Sequence, residues 1–94
     1  MLVKWLPRAL RDIEVIFDLI EPENRAAALR ILDKFEQAGV HLSRFPHLGR
    51  PGRVEGTREY VISGTPYIMP YRVVNGEVQI LRVYHAARRW PDDF

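Results

Sequence analysis

The sequence predicts an α+β domain of order βααβββ, with a helical hairpin packed on one face of a mainly antiparallel sheet. Apolar residues recur every three or four positions across residues 7–42, a single Glu-Pro step interrupts that period, and the rest alternates with period two around an Asn-Gly pair. Helices grouped before strands segregate to one face of the sheet. The opposite face is then open, and it is expected to carry many of the strand Arg and Tyr side chains, which makes it the place to look for function.

Leu2, Val3 and Trp5 around Lys4 form a short N-terminal strand that stops at Pro7. Pro7 suits the first turn of a helix, where its missing N–H has no intrahelical partner to lose. Leu10, Ile13, Ile16, Phe17 and Ile20 then fall on one face, with Arg11, Asp12, Glu14 and Asp18 between them, which gives a helix over residues 7–20. Glu21-Pro22 ends it, because the residue before proline is pushed out of the helical region. Pro22 and Glu23 open a second helix, along which Ala28, Leu29, Leu32, Phe35 and Leu42 continue the period past Gly39. A connection of two or three residues makes the pair an antiparallel hairpin.

Residues 45–53 contain two prolines and two glycines, and read as a loop. Residues 57–62 are a strand, 63–66 a turn and 67–74 a second strand. Pro70 has no N–H for a ladder and therefore belongs at an edge-facing or bulged position. Asn75-Gly76 is a strong hairpin signal, since both residues tolerate positive φ. Residues 78–84 form the third strand of the meander, followed by Arg88, Arg89 and Trp90, and Pro91, Asp92 and Asp93 stand just before the last residue, Phe94.

The 94 residues suit one domain, 1–94, and nearly half of them are apolar, enough for a core. The absence of cysteine excludes disulfides, thiolate catalysis and zinc-thiolate sites. The longest stretch free of Asp, Glu, Lys and Arg is twelve residues, 60–71, broken by two prolines, whereas a membrane span needs ~20. No membrane association and no secretory signal are expected, and the cytoplasm is the expected location. Charge is unevenly distributed: residues 1–40 carry net −1 and residues 41–90 net +5. The basic half favours an anionic partner, nucleic acid or acidic protein.

Gly52, Gly56 and Thr57 lack the Gly-Lys-Ser/Thr of a phosphate loop, and Ser43 and Ser63 lack a Gly-x-Ser-x-Gly context. His41, His47 and His85 are not at metal-pair spacing, so neither a metal nor a cofactor is expected. The candidate contact residues are Arg58, Arg82, His85, Arg88, Arg89 and Trp90, and each has a plainer alternative. Arg58 and Arg82 suit cross-strand pairing, His85 a strand-end anchor, Arg88 and Arg89 a solvated charge pair, and Trp90 a packed C-terminal anchor. Tyr60, Tyr67 and Tyr71 read mainly as core, Tyr84 less so. Cations of the 45–53 loop, with Arg44, also suit phosphate or a protein acid.

The segments Gly56-Thr57-Arg58-Glu59-Tyr60-Val61-Ile62, Tyr67-Ile68-Met69-Pro70-Tyr71-Arg72-Val73 and Ile80-Leu81-Arg82-Val83-Tyr84-His85-Ala86-Ala87-Arg88-Arg89-Trp90, behind a helix pair, closely resemble the ParE/RelE superfamily of type II toxins. The ending is most similar to the ParE branch, the plasmid-stabilisation proteins. The resemblance implies a toxin neutralised by a cognate antitoxin. In the ParE branch it implies DNA gyrase as target and no catalysis; in the RelE branch, ribosome-dependent cleavage of mRNA. RNA cleavage by a 2′-hydroxyl needs a base, a cationic stabiliser and an acid. Where nuclease members carry an Arg on the central strand this chain has Ile68, and where they carry a C-terminal Tyr, His85 is followed by Ala86. The resemblance therefore implies a gyrase inhibitor, with the mRNA endonuclease, served by Arg58, Arg82, His85 and Arg88, as the alternative.

Overall fold

The chain runs β1 (Leu2–Trp5), α1 (Pro7–Ile20), α2 (Arg25–Arg44), β2 (Arg50–Pro51), β3 (Arg58–Val61), β4 (Tyr67–Val74), β5 (Glu77–Ile80) and β6 (Tyr84–His85). The computed structural model describes residues 1–90 and 94; Pro91, Asp92 and Asp93 lie outside the described residues. The strands form one mixed sheet of order β1-β5-β4-β3-β2, with β6 pairing beside β4. All pairings are antiparallel except that of β1 with β5, which sets Val3 opposite Val78 and Trp5 opposite Ile80.

Pro7 stands at the start of α1 as expected, and the helix ends at Ile20. The second helix starts later than Pro22-Glu23 suggests. The N–H groups of Glu23 and Asn24 both turn back to the carbonyl of Ile20, and Asn24 caps α2 through a 3.0 Å bond from the Ala27 N–H to its side-chain oxygen. An Asn cap satisfies an orphan donor that Glu23 would leave open. Both helices lie on one sheet face, where Ala9, Ile16, Phe35, Ala38 and Leu42 meet Met69, Tyr71, Val78 and Ile80. Gly39 allows α2 to touch β1: a Cβ there would lie 2.8 Å from the Trp5 ring. The Asn75-Gly76 turn has both residues at positive φ, 51° and 75°.

Two expectations for the sheet are corrected. The third meander strand is split: β5 ends at Ile80, residues 81–83 leave the ladder, and β6 resumes opposite β4 with Tyr84 facing Ile68. Pro70 lies opposite this gap. Its carbonyl accepts from the N–H groups of Leu81 and Arg82, at 2.9 and 3.5 Å, and its missing N–H would have pointed the same way. The proline therefore occupies the middle of the sheet without breaking a β3–β4 bond, at a bulged position rather than an outer edge.

The second sheet face is not simply open. Tyr60, Tyr67, Tyr71 and Arg58 share the helix-packed face, since Arg58 is opposite Tyr71 and Tyr60 opposite Met69. The opposite face bears Glu59, Val61, Ile68, Pro70 and Tyr84, and Tyr84 is 1% exposed, among the most buried side chains of the protein. Its cover includes Trp90, Phe94 and the guanidinium groups of Arg82 and Arg88. Period two assigns residues to faces correctly, but it does not say which face a later segment will cover.

Candidate functional site

The split of the third strand builds the site. Val83, outside the ladder, donates its N–H to the Asp12 carboxylate of α1 at 2.9 Å, and Arg82 adds two bonds to the same carboxylate, Nε at 2.8 Å and Nη2 at 3.0 Å. Both side chains of the pair are mostly buried. Donation to Asp12 holds the Arg82 guanidinium charged, its pKa raised above the ordinary arginine value against the opposing effect of burial. A two-pronged pair of this kind also fixes the plane of the guanidinium.

That plane faces Tyr84. The Arg82 guanidinium carbon lies 4.6 Å from the Tyr84 ring centre and that of Arg88 lies 4.7 Å from it. Trp90 packs edge-on against Tyr84, with ring centres 5.0 Å apart, and Phe94 adds a third ring. Above Trp90 is Arg53, 3.9 Å from the ring centre. Contacts of this kind are worth ~0.5–1 kcal/mol each where exposed and more where water is excluded. Arg53 is itself held by Glu59, whose carboxylate accepts from the Arg53 N–H at 2.7 Å, pairs with its Nε at 3.6 Å, and also binds Arg50 at 3.1 Å. Glu59 is 2% exposed, a buried charge made tolerable by these donors. The indole N–H of Trp90, shielded from solvent, has no acceptor among the described residues.

On the α1 side, Arg82, Val83, His85, Arg88 and Tyr67 face Asp12, Val15, Ile16 and Leu19 across a groove of about 380 Å³. Val15 and Leu19 are exposed there. His85 packs edge-on against Tyr67, and its Nδ1 accepts the Ala87 N–H at 3.1 Å. Burial pushes the Tyr67 hydroxyl above its ordinary pKa.

Of the candidate residues, the structure brings Arg82, His85, Arg88 and Trp90 together; Arg89 is exposed beside them. Arg58 lies elsewhere. Its Nη1 donates to the carbonyls of His47 and Gly49, at 3.3 and 2.8 Å, and it lines a separate cleft with His47, Thr57 and Arg72. The sequence reading missed Asp12 and Glu59, and took Arg53 only as one of the loop cations suited to phosphate or a protein acid; the acid it meets is Glu59. Asp12 had a usable signal: it stands three residues after Ala9 and four before Ile16, on the buried face of α1. The stacking of Arg53 on Trp90 had no such signal, because the two are 37 positions apart in sequence. Among the described residues, no group of three or more His, Asp or Glu could hold a metal, and no helix is long and apolar enough to cross a membrane.

Comparison with known proteins places this arrangement. Residues 3–90 match the family model of the ParE toxin of the type II toxin-antitoxin system parDE. A Sinorhizobium fredii protein, provisionally named toxin Y4kP, is 42% identical over 89 residues, covering 95% of this chain and 92% of its own. Toxin RelE2 of Caulobacter vibrioides is 37% identical over 86 residues, covering 92% and 96%. A solved structure titled as the chromosomal ParDE system of P. aeruginosa superimposes with a TM-score of 0.70 at 26% identity, over 90% of this chain and 95% of that one. With two helices on a mixed sheet and a family match from the first strand to Trp90, the chain belongs to the ParE toxin family of type II toxin-antitoxin systems, which implies a cognate antitoxin as its partner.

Proposed function

We propose that this toxin acts in the cytoplasm by binding rather than by catalysis, that its target is DNA gyrase, and that its antitoxin neutralises it by occupying the groove beside α1. The observation that carries this reading is the composition of that groove. Facing His85 and Arg88 is a wall of Val15, Ile16 and Leu19 with the Asp12 carboxylate, a surface suited to a peptide chain and poorly suited to nucleotide phosphates. On the second sheet face, Glu59, Val61, Ile68 and Pro70 occupy the centre, and Glu59 is already engaged by arginines. His85, Arg88, Arg89 and Trp90 supply the contacts, while Arg82 and Arg58 hold the scaffold from behind. An antitoxin segment that orders on the groove would give up ~2–5 kcal/mol for folding on binding.

The test is induction of the toxin in cells, with gyrase supercoiling measured on the purified protein and mRNA ends mapped by primer extension. Inhibited supercoiling without toxin-dependent mRNA ends is expected. A second reading, ribosome-dependent mRNA cleavage, is favoured by the likeness to RelE2 and by His85 and Arg88 lining one groove. New in-frame ends in translated message would establish it. His85→Gln separates the two, because it keeps hydrogen bonding but cannot shuttle a proton near neutral pH. A gyrase inhibitor retains its toxicity with this change, whereas a nuclease using the imidazole loses it.

A further inference from the structure

We propose that Asp12 is a positioning residue for the toxin's contact surface, acting from α1 through Arg82 and Val83 on the segment from Tyr84 to Trp90. The proposal rests on the reading of that segment as the surface that meets the target. Its physical basis is the gap in the sheet. Leu81 and Arg82 share the one carbonyl of Pro70, and Val83 finds its acceptor in the Asp12 carboxylate. The place where the chain re-enters the ladder as β6 is therefore set from a helix, 71 residues away in sequence, rather than by strand pairing alone.

From that carboxylate a continuous series of contacts runs to the surface. Asp12 holds Arg82, Arg82 lies on Tyr84, Tyr84 meets Trp90, Trp90 carries Arg53, and Arg53 returns to Glu59. Two carboxylates, one on α1 and one on β3, thus hold the two ends of an arginine–aromatic stack. Arg88 lies on the same Tyr84 ring, so the direction in which it is presented depends on the plane of that ring. Glu59 is the poorer place to test the stack, since it also anchors Arg50 and the loop backbone at Arg53. Asp12 makes its bonds to Arg82 and Val83 alone among the described residues.

The experiment labels the two tryptophans, Trp5 and Trp90, with fluorine and follows both resonances in the full chain, alongside growth arrest on induction. Trp5, at the end of β1, packs against α2 and serves as the internal control. In Asp12→Asn the Trp90 resonance should shift and broaden while that of Trp5 stays in place, and growth arrest should weaken by about tenfold, as expected when a charge-assisted pair is broken. Asp12→Glu, which keeps the carboxylate, should recover part of both effects. Glu14→Gln, on the same helix but in an exposed pair with Arg11, should change neither. If Asp12→Asn does not fold, Arg82→Lys takes its place, because it keeps the charge beside Asp12 and removes only the planar fork.

An unchanged Trp90 resonance with undiminished arrest overturns the proposal. So does a parallel loss of both resonances in Asp12→Asn and Arg82→Lys, which would make the pair a fold determinant and nothing more. The underlying reading fails separately. If Arg88→Ala/Arg89→Ala remains fully toxic, the segment is not the contact surface, and the Trp90 resonance still reports whether Asp12 positions it.

Discussion

Tyr71 shows how one side chain can hold a loop. Its hydroxyl donates to the Pro46 carbonyl and accepts the Gly49 N–H, both at 2.8 Å, and the ring is fully buried. Tyr71→Phe should destabilise the protein by ~1–3 kcal/mol in urea unfolding, because a buried donor and acceptor are left unpaired. Burial, set against the Gly49 hydrogen bond, also raises the pKa of this hydroxyl, and burial raises that of Tyr67. The folded state therefore holds both protons to higher pH than the unfolded chain. Their contribution is intact below the ordinary tyrosine value near 10 and is lost as pH rises through the folded values. Unfolding midpoints should fall above about pH 10, less steeply in Tyr67→Phe. Arg88 and Arg89 make the opposite case: as exposed charges they contribute ~0–1 kcal/mol to folding, so Arg88→Ala/Arg89→Ala should abolish growth arrest with almost no change in thermal stability.

At the scale of elements, caps and breaks matter more than propensity. The sequence led to Pro22-Glu23 as the start of the second helix, but the cap is Asn24, whose side chain satisfies the Ala27 N–H. Asn24→Ala should cost ~0.5–2 kcal/mol in chemical denaturation while leaving the helical hairpin in place. Pro70 was legible as a residue that cannot serve a ladder, and its consequence on the neighbouring strand was not. The gap at 81–83 needs Pro70 on one side and Asp12 on the other, and those two come together only when α1 lies across the sheet.

Across the whole molecule, the first strand completes one edge of the sheet: β1 runs parallel to β5, with Trp5 opposite Ile80 and against Gly39 of α2. Trp5→Ala should therefore cost several kcal/mol, up to the ~3–5 typical of a buried aromatic, and should selectively lower amide protection in β5. The sequence by itself determined the helical hairpin and the Asn75-Gly76 turn, because periodicity and turn chemistry act between near neighbours, whereas Arg82, His85, Arg88 and Trp90 were legible as contact candidates through the family resemblance. Only the tertiary structure decided that Tyr84 is buried, that Arg58 secures a loop away from that cluster, and that Asp12 and Glu59 hold the arginine–aromatic stack. A local pattern records which face a side chain takes. It does not record which distant carboxylate will meet it there, since that partner is fixed only when the helices pack and Trp90 comes to lie on Tyr84.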